Sequence, residues 1–119
     1  MKLPGPDHPI TITPAKGRVV VRFGGEVVAD TTQALELREA SYPAVLYIPR
    51  GDARMDHFTR TAHSTHCPYK GDASYFDLAA GGTTAANVVW SYETPYPAMA
   101  AIKDHLAFYP QHVVIERGT

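Results

Sequence analysis

Short apolar stretches with period-two alternation dominate the chain. Ile10 and Ile12 alternate with threonines, and Arg18-Val19-Val20-Val21-Arg22-Phe23 is a β-branched run. Gly24-Gly25 follows, then Glu26-Val27-Val28-Ala29. Glycine accepts the positive φ that tight primed turns require, so this arrangement predicts a hairpin. Leu35 and Leu37 alternate with polar neighbours over 34–38, and Val45 to Ile48 reads as a fourth strand between Pro43 and Pro49. Strand signals resume over 73–78, pass through Gly81-Gly82 and continue over 86–92 as a second hairpin. Val113-Val114-Ile115 reads as a last short strand.

Two segments depart from this pattern. Thr94-Pro95-Tyr96-Pro97 reads as a helix start, because threonine caps free N–H groups and proline suits the first turn. Met99, Ile102 and Leu106 then fall on one helical face, and Pro110 ends it. Residues 50–71 hold Arg50, Asp52, Arg54, Asp56, His57, Arg60, His63, His66, Cys67 and Lys70 with few regular apolar positions. That stretch predicts a long shaped loop, and long loops are more often functional than incidental. The expected fold is mainly β: a single compact twisted sheet or half-open β-barrel or tent, with two Gly-Gly hairpins and one C-terminal helix. Residues 1–15, with Pro4, Pro6 and Pro9, form an extended lead-in, and 16–119 a single β-rich domain.

Composition narrows the function classes. The 119 residues carry 11 Lys plus Arg against 12 Asp plus Glu, a formal net charge of −1. That balance excludes wholesale adhesion to nucleic acid or membranes by charge. An apolar fraction of 45% excludes disorder. With Cys67 as the one cysteine, no disulfide closes within the chain, and the fold stands on its apolar core. The N-terminus has no apolar h-region, and no apolar run approaches the ~20 residues of a spanning helix. A cytoplasmic location is expected.

Candidate chemistry concentrates in Thr65-His66-Cys67-Pro68-Tyr69-Lys70-Gly71. A thiol beside an imidazole suggests a nucleophile and its base. Cys67 precedes a proline, however, which favours extended backbone, and adjacent side chains of an extended segment point to opposite faces. His66 then turns away from Cys67, whereas His63, Thr65 and Cys67 share a side. A buried structural cysteine is the competing reading. His57, His63, His66 and Cys67 match no standard zinc spacing, so no metal is expected. Arg50, Arg54, Arg60 and Lys70 are suited to an anion, or equally to pairing with Asp52, Asp56 and Asp72. Trp90 and Tyr92 share a strand face, and with Tyr47, Tyr69, Tyr75 and Tyr96 they suggest an aromatic wall or simply core. Glu39 points inward toward Arg50 or Lys70.

The matching pieces run in order over residues 16–116: Gly25-Glu26-Val27-Val28-Ala29-Asp30-Thr31, Ala34-Leu35-Glu36-Leu37 with Glu39, Tyr42-Pro43, and Tyr47-Ile48-Pro49-Arg50. The Cys-Pro-aromatic-Lys-Gly element, Trp90-Ser91-Tyr92 and Ala107-Phe108-Tyr109-Pro110 complete them. Together they resemble the domain-of-unknown-function family four-two-seven, which also carries a nucleotidyltransferase-type name. The resemblance implies a compact, mainly β domain. Its motif marks Glu39, Arg50, Thr65, Cys67, Lys70, Trp90 and Tyr92, and leaves the position of His66 variable.

The leading expectation is a pocket for a small anionic or nucleotide-like molecule. Arg50 and Lys70 hold the anion, Trp90 or Tyr92 stacks, Glu39 orients the cations, and Tyr47 and Thr65 complete the lining. Cys67 and Lys70 are the candidates for chemistry, if there is any. No cofactor is expected, except magnesium should the ligand be a nucleotide. The alternatives are a non-catalytic protein-interaction module, and a thiol-based enzyme or redox sensor centred on Cys67.

Overall fold

The computed structural model describes residues 1–118. Its strands are β1 (Ile10–Pro14), β2 (Val19–Phe23), β3 (Glu26–Thr31), β4 (Leu35–Glu39), β5 (Val45–Tyr47), β6 (Phe58–Cys67), β7 (Gly71–Ala80), β8 (Thr83–Ser91), β9 (Ala107–Phe108) and β10 (Val114–Arg117). All pairings are antiparallel. The fold is mainly β, but the single sheet is replaced by three, in the orders β1-β4-β5, β10-β2-β3 and β6-β7-β8-β9, none closed into a barrel. Short strands of three to six residues in the first two sheets cannot wrap a continuous ladder. An isolated bridge from Ile48 to Leu106 joins the ends of β5 and β9, and one from Ala29 to Ala53 ties β3 to the segment that follows β5. Residues 10–14, counted within the lead-in, form β1 and pair with β4.

Two elements differ from their sequence patterns. The expected C-terminal helix is a 3-10 segment, Pro97–Ile102, kinked at Met99. Met99 and Ile102 do turn inward, because a spacing of three also satisfies a 3-10 turn. Asp104 then takes a positive φ, and Leu106 exchanges two 2.8 Å backbone hydrogen bonds with Ile48. Backbone pairing to a sheet thus wins over a helical periodicity only three residues deep. The expected loop over 50–71 is two 3-10 turns, Arg50–Asp52 and Met55–His57, followed by the ten-residue β6. β6 is an edge strand with solvent on most of both faces, so its polar composition shows no apolar alternation.

The four-stranded sheet separates two buried clusters. Tyr75 and Trp90 are cross-strand partners on one face, packed with Leu37, Tyr47, Ala73, Tyr92, Met99, Ile102 and Ala107. Phe76 and Val89 are partners on the other, packed with Val19, Val21, Val28, Phe58, Leu78 and Phe108. The second face joins this sheet to β2 and β3. Gly24-Gly25 connects β2 to β3, and Gly81-Gly82 connects β7 to β8. All four glycines have positive φ. The two turns also touch backbone to backbone: a Cβ on Gly24 would lie 2.2 Å from the Ala80 carbonyl oxygen, and one on Gly81 would lie 1.9 Å from that of Gly24.

Candidate functional site

The site is built around the β6–β7 turn. The Lys70 amide donates to the Cys67 carbonyl at 3.3 Å, which folds the turn back on itself. The Lys70 side chain, only 8% exposed, then points inward. Its ammonium donates to Glu39 Oε1 at 2.5 Å and to Cys67 Sγ at 3.6 Å. Glu39 stands at the end of β4, and its other oxygen lies 2.7 Å from His8 Nε2. His8 stacks on Tyr69 at a ring separation of 4.1 Å, and the Lys2 amide donates to the Pro68 carbonyl at 2.8 Å. The N-terminal residues thereby clasp the turn that carries Lys70. Burial alone would raise the Glu39 pKa, but the hydrogen bonds from Lys70 and His8 outweigh it and hold the carboxyl below its ordinary value.

Lys70 and Glu39 line one end of an open cleft of about 360 Å³. Leu37, Val45 and Tyr47 form one wall, from β4 and β5. Tyr75, Trp90, Tyr92 and Tyr109 form the other, with Tyr42 at the mouth. Trp90 Nε1 donates to the Tyr47 hydroxyl at 3.3 Å, and the two rings meet edge-on. The Tyr75 hydroxyl lies 3.0 Å from Thr65 Oγ1 and 3.5 Å from the Tyr109 hydroxyl. Burial pushes the Tyr47 and Tyr92 phenols well above their ordinary pKa, and pushes Tyr109 up to about 12. These hydroxyls therefore stay protonated and able to donate. Lys70 has three N–H donors and two acceptors among the described residues, which leaves one N–H for a bound group.

Of the residues singled out from the sequence, Glu39, Tyr47, Lys70, Tyr75, Trp90 and Tyr92 line this cleft. Cys67 sits behind Lys70, half-buried, and Thr65 reaches the cleft through the Tyr75 hydroxyl. Cys67 and Thr65 face the site, whereas His66 points away to Asp72 at 2.7 Å, as extended backbone requires. His63 packs on the Tyr75 ring at 4.5 Å. Tyr69 and Tyr96 stay outside the cleft.

Arg50 does not join Lys70. Its guanidinium lies 5.3 Å over the Phe76 ring, on the opposite face of the sheet from Tyr75. It donates to Glu93 at 3.0 Å, to Ser91 Oγ at 3.0 Å and to the Asp104 carbonyl. Arg60 also holds Glu93 and covers Phe76 from 5.5 Å. Burial would raise Glu93, yet hydrogen bonds from Arg60, Ser74 and Arg50 hold it below its ordinary pKa. Arg50 is thus tied into an ion-paired cluster away from the cleft. His8 and Tyr109 carried no signal of their own in the sequence. His8 lies in a proline-rich stretch, and Tyr109 follows a strand two residues long that was read as helix.

The arrangement defines a small antiparallel β protein with a tyrosine- and tryptophan-walled cleft around a buried lysine–glutamate pair. By sequence the chain belongs to the family described as domain of unknown function (DUF427), whose profile matches residues 11–118. No curated protein matches it. Among the described residues no group of three or more His, Cys, Asp or Glu could hold a metal ion, and no helix is long and apolar enough to cross a membrane.

Proposed function

We propose that the cleft binds a small planar molecule carrying a carboxylate or phosphate. The observation that supports this best is Lys70: a nearly buried ammonium that lines an open cavity, with one N–H lacking an acceptor among the described residues. An anionic oxygen supplies that acceptor, and charge-assisted bonds of this kind are the stronger ones. Protonated phenols of Tyr92 and Tyr109 donate to the same group, and the wall of Leu37, Val45 and Tyr47 accepts a ring. Glu39 sets the position of the ammonium. Arg50 takes no part. The single cysteine supports a cytoplasmic location.

A thermal-shift panel of aromatic carboxylates, nucleoside monophosphates and sugar phosphates, each with and without magnesium, tests this. A ligand at ~100 times its Kd stabilises by about 2.7 kcal/mol, or on the order of 10 °C in Tm for a domain of this size. Such a shift is expected to vanish in Lys70→Met and to persist in Arg50→Ala. A flat panel on a folded sample would sink the reading.

The thiol 3.6 Å from Lys70 supports a second reading, in which Cys67 reacts with the bound molecule. Turnover of a ligand found in the panel, lost in Cys67→Ser with binding retained, would select it.

A further inference from the structure

A second cavity, of about 300 Å³, opens beside the cleft. It lies between β5 and β9, which are bridged at Ile48 and Leu106 but do not pair along the rest of their length. Its lining includes Ala44, Leu46, Phe108 and Ile115, with no charged side chain. Val45 and Trp90 line both cavities. Trp90 is the partition. Its Nε1 edge points to Tyr47 and one side of its ring packs on Tyr109 at 4.6 Å, so the polar edge serves the cleft and carbon surface remains for the groove.

We propose that the ligand is amphiphilic, with its anionic head on Lys70 and an apolar extension of a few carbons crossing Trp90 into this groove. The inference rests on the anion-binding reading of the cleft and adds the class of molecule. Each cavity alone is at or near the lower bound of usual ligand sites, about 300–1,000 Å³. A head group occupies the first, and the second then offers apolar surface that none of the described residues covers. A cleft lined by a nearly buried ammonium and continuous with an uncharged groove across one indole is the surface an amphiphile complements.

Trp90 is the one tryptophan, so its emission reports binding at the partition. Benzoate probes the head and 4-butylbenzoate the head with its extension. At about fourfold per buried methylene, 4-butylbenzoate is expected to bind at least about thirtyfold more tightly than benzoate. Ala44 is exposed and lines the groove only, so Ala44→Glu should remove most of that gain and leave benzoate affinity unchanged. Equal affinities would overturn the amphiphile and leave the cleft reading standing. A gain that survives Ala44→Glu would place the extension elsewhere and overturn it too. Silence from both compounds at millimolar concentration would bring down the cleft reading and this inference together.

Discussion

Lys70 keeps its charge almost out of water, and what surrounds it decides the cost of changing it. Glu39 stays ionised because Lys70 and His8 both bond it. Removing one partner of a buried pair leaves the other uncompensated, a loss of about 3 kcal/mol or more. Lys70→Met is therefore expected to destabilise by about that amount, and the double variant Lys70→Met/Glu39→Gln by less than Lys70→Met alone. Urea midpoints of the wild type and the two variants check this order. The Glu39 pKa also sets a pH dependence. Its folded value lies below the unfolded one, so its contribution is complete above the unfolded pKa and is lost as pH falls through the folded value. Stability should fall below about pH 4, with a shallower acid limb in Glu39→Gln, read from urea midpoints against pH. At this scale much was legible in the sequence. The side taken by Cys67 follows from Pro68, and six of the cleft residues stand out in the sequence. The choice of Lys70 over Arg50 as the partner of Glu39 was not, because the backward fold of the Cys67–Gly71 turn is set by contacts with the N-terminal residues.

Elements were legible where local chemistry sufficed and illegible where pairing decided. The runs around Gly24-Gly25 and Gly81-Gly82 showed their strands, since β-branched residues flank turns that demand positive φ. β6 did not, because an edge strand solvated on both faces lacks the periodicity that marks a strand. The 3-10 segment over Pro97–Ile102 imitated a helix through Met99 and Ile102, while Leu106 was claimed by Ile48. The paired turns yield a prediction at this level. Gly24 and Gly81 combine positive φ with opposing backbone inside van der Waals distance, whereas Gly25 and Gly82 have positive φ and open space. Alanine at Gly25 or Gly82 should cost about 1–2 kcal/mol, the strain of a left-handed residue. Alanine at Gly24 or Gly81 should cost clearly more, about 3 kcal/mol or beyond, once the sheets are forced apart. Denaturant titration of the four variants checks the ranking.

Across the whole molecule, strands distant in sequence are held side by side. Arg22 and Glu116, separated by 94 positions, form an ion pair between β2 and β10. Such topology must close long loops before strand pairing stabilises it, so folding is expected in milliseconds to seconds, measurable by stopped-flow fluorescence of Trp90. Microsecond folding would contradict this. The radius of gyration, 14.0 Å, is close to the ~13.5 Å expected for a compact chain of this length. The backbone contact between the Gly-Gly turns has a consequence for how this fold can change. A side chain that clashes is ordinarily accommodated by trimming its neighbour. Here the neighbours are main-chain carbonyls, and no substitution makes a carbonyl smaller. A library randomised at positions 24 and 81 and selected for folded protein should return glycine at both, with no compensating pairs. The same selection at 25 and 82 should also admit asparagine and aspartate.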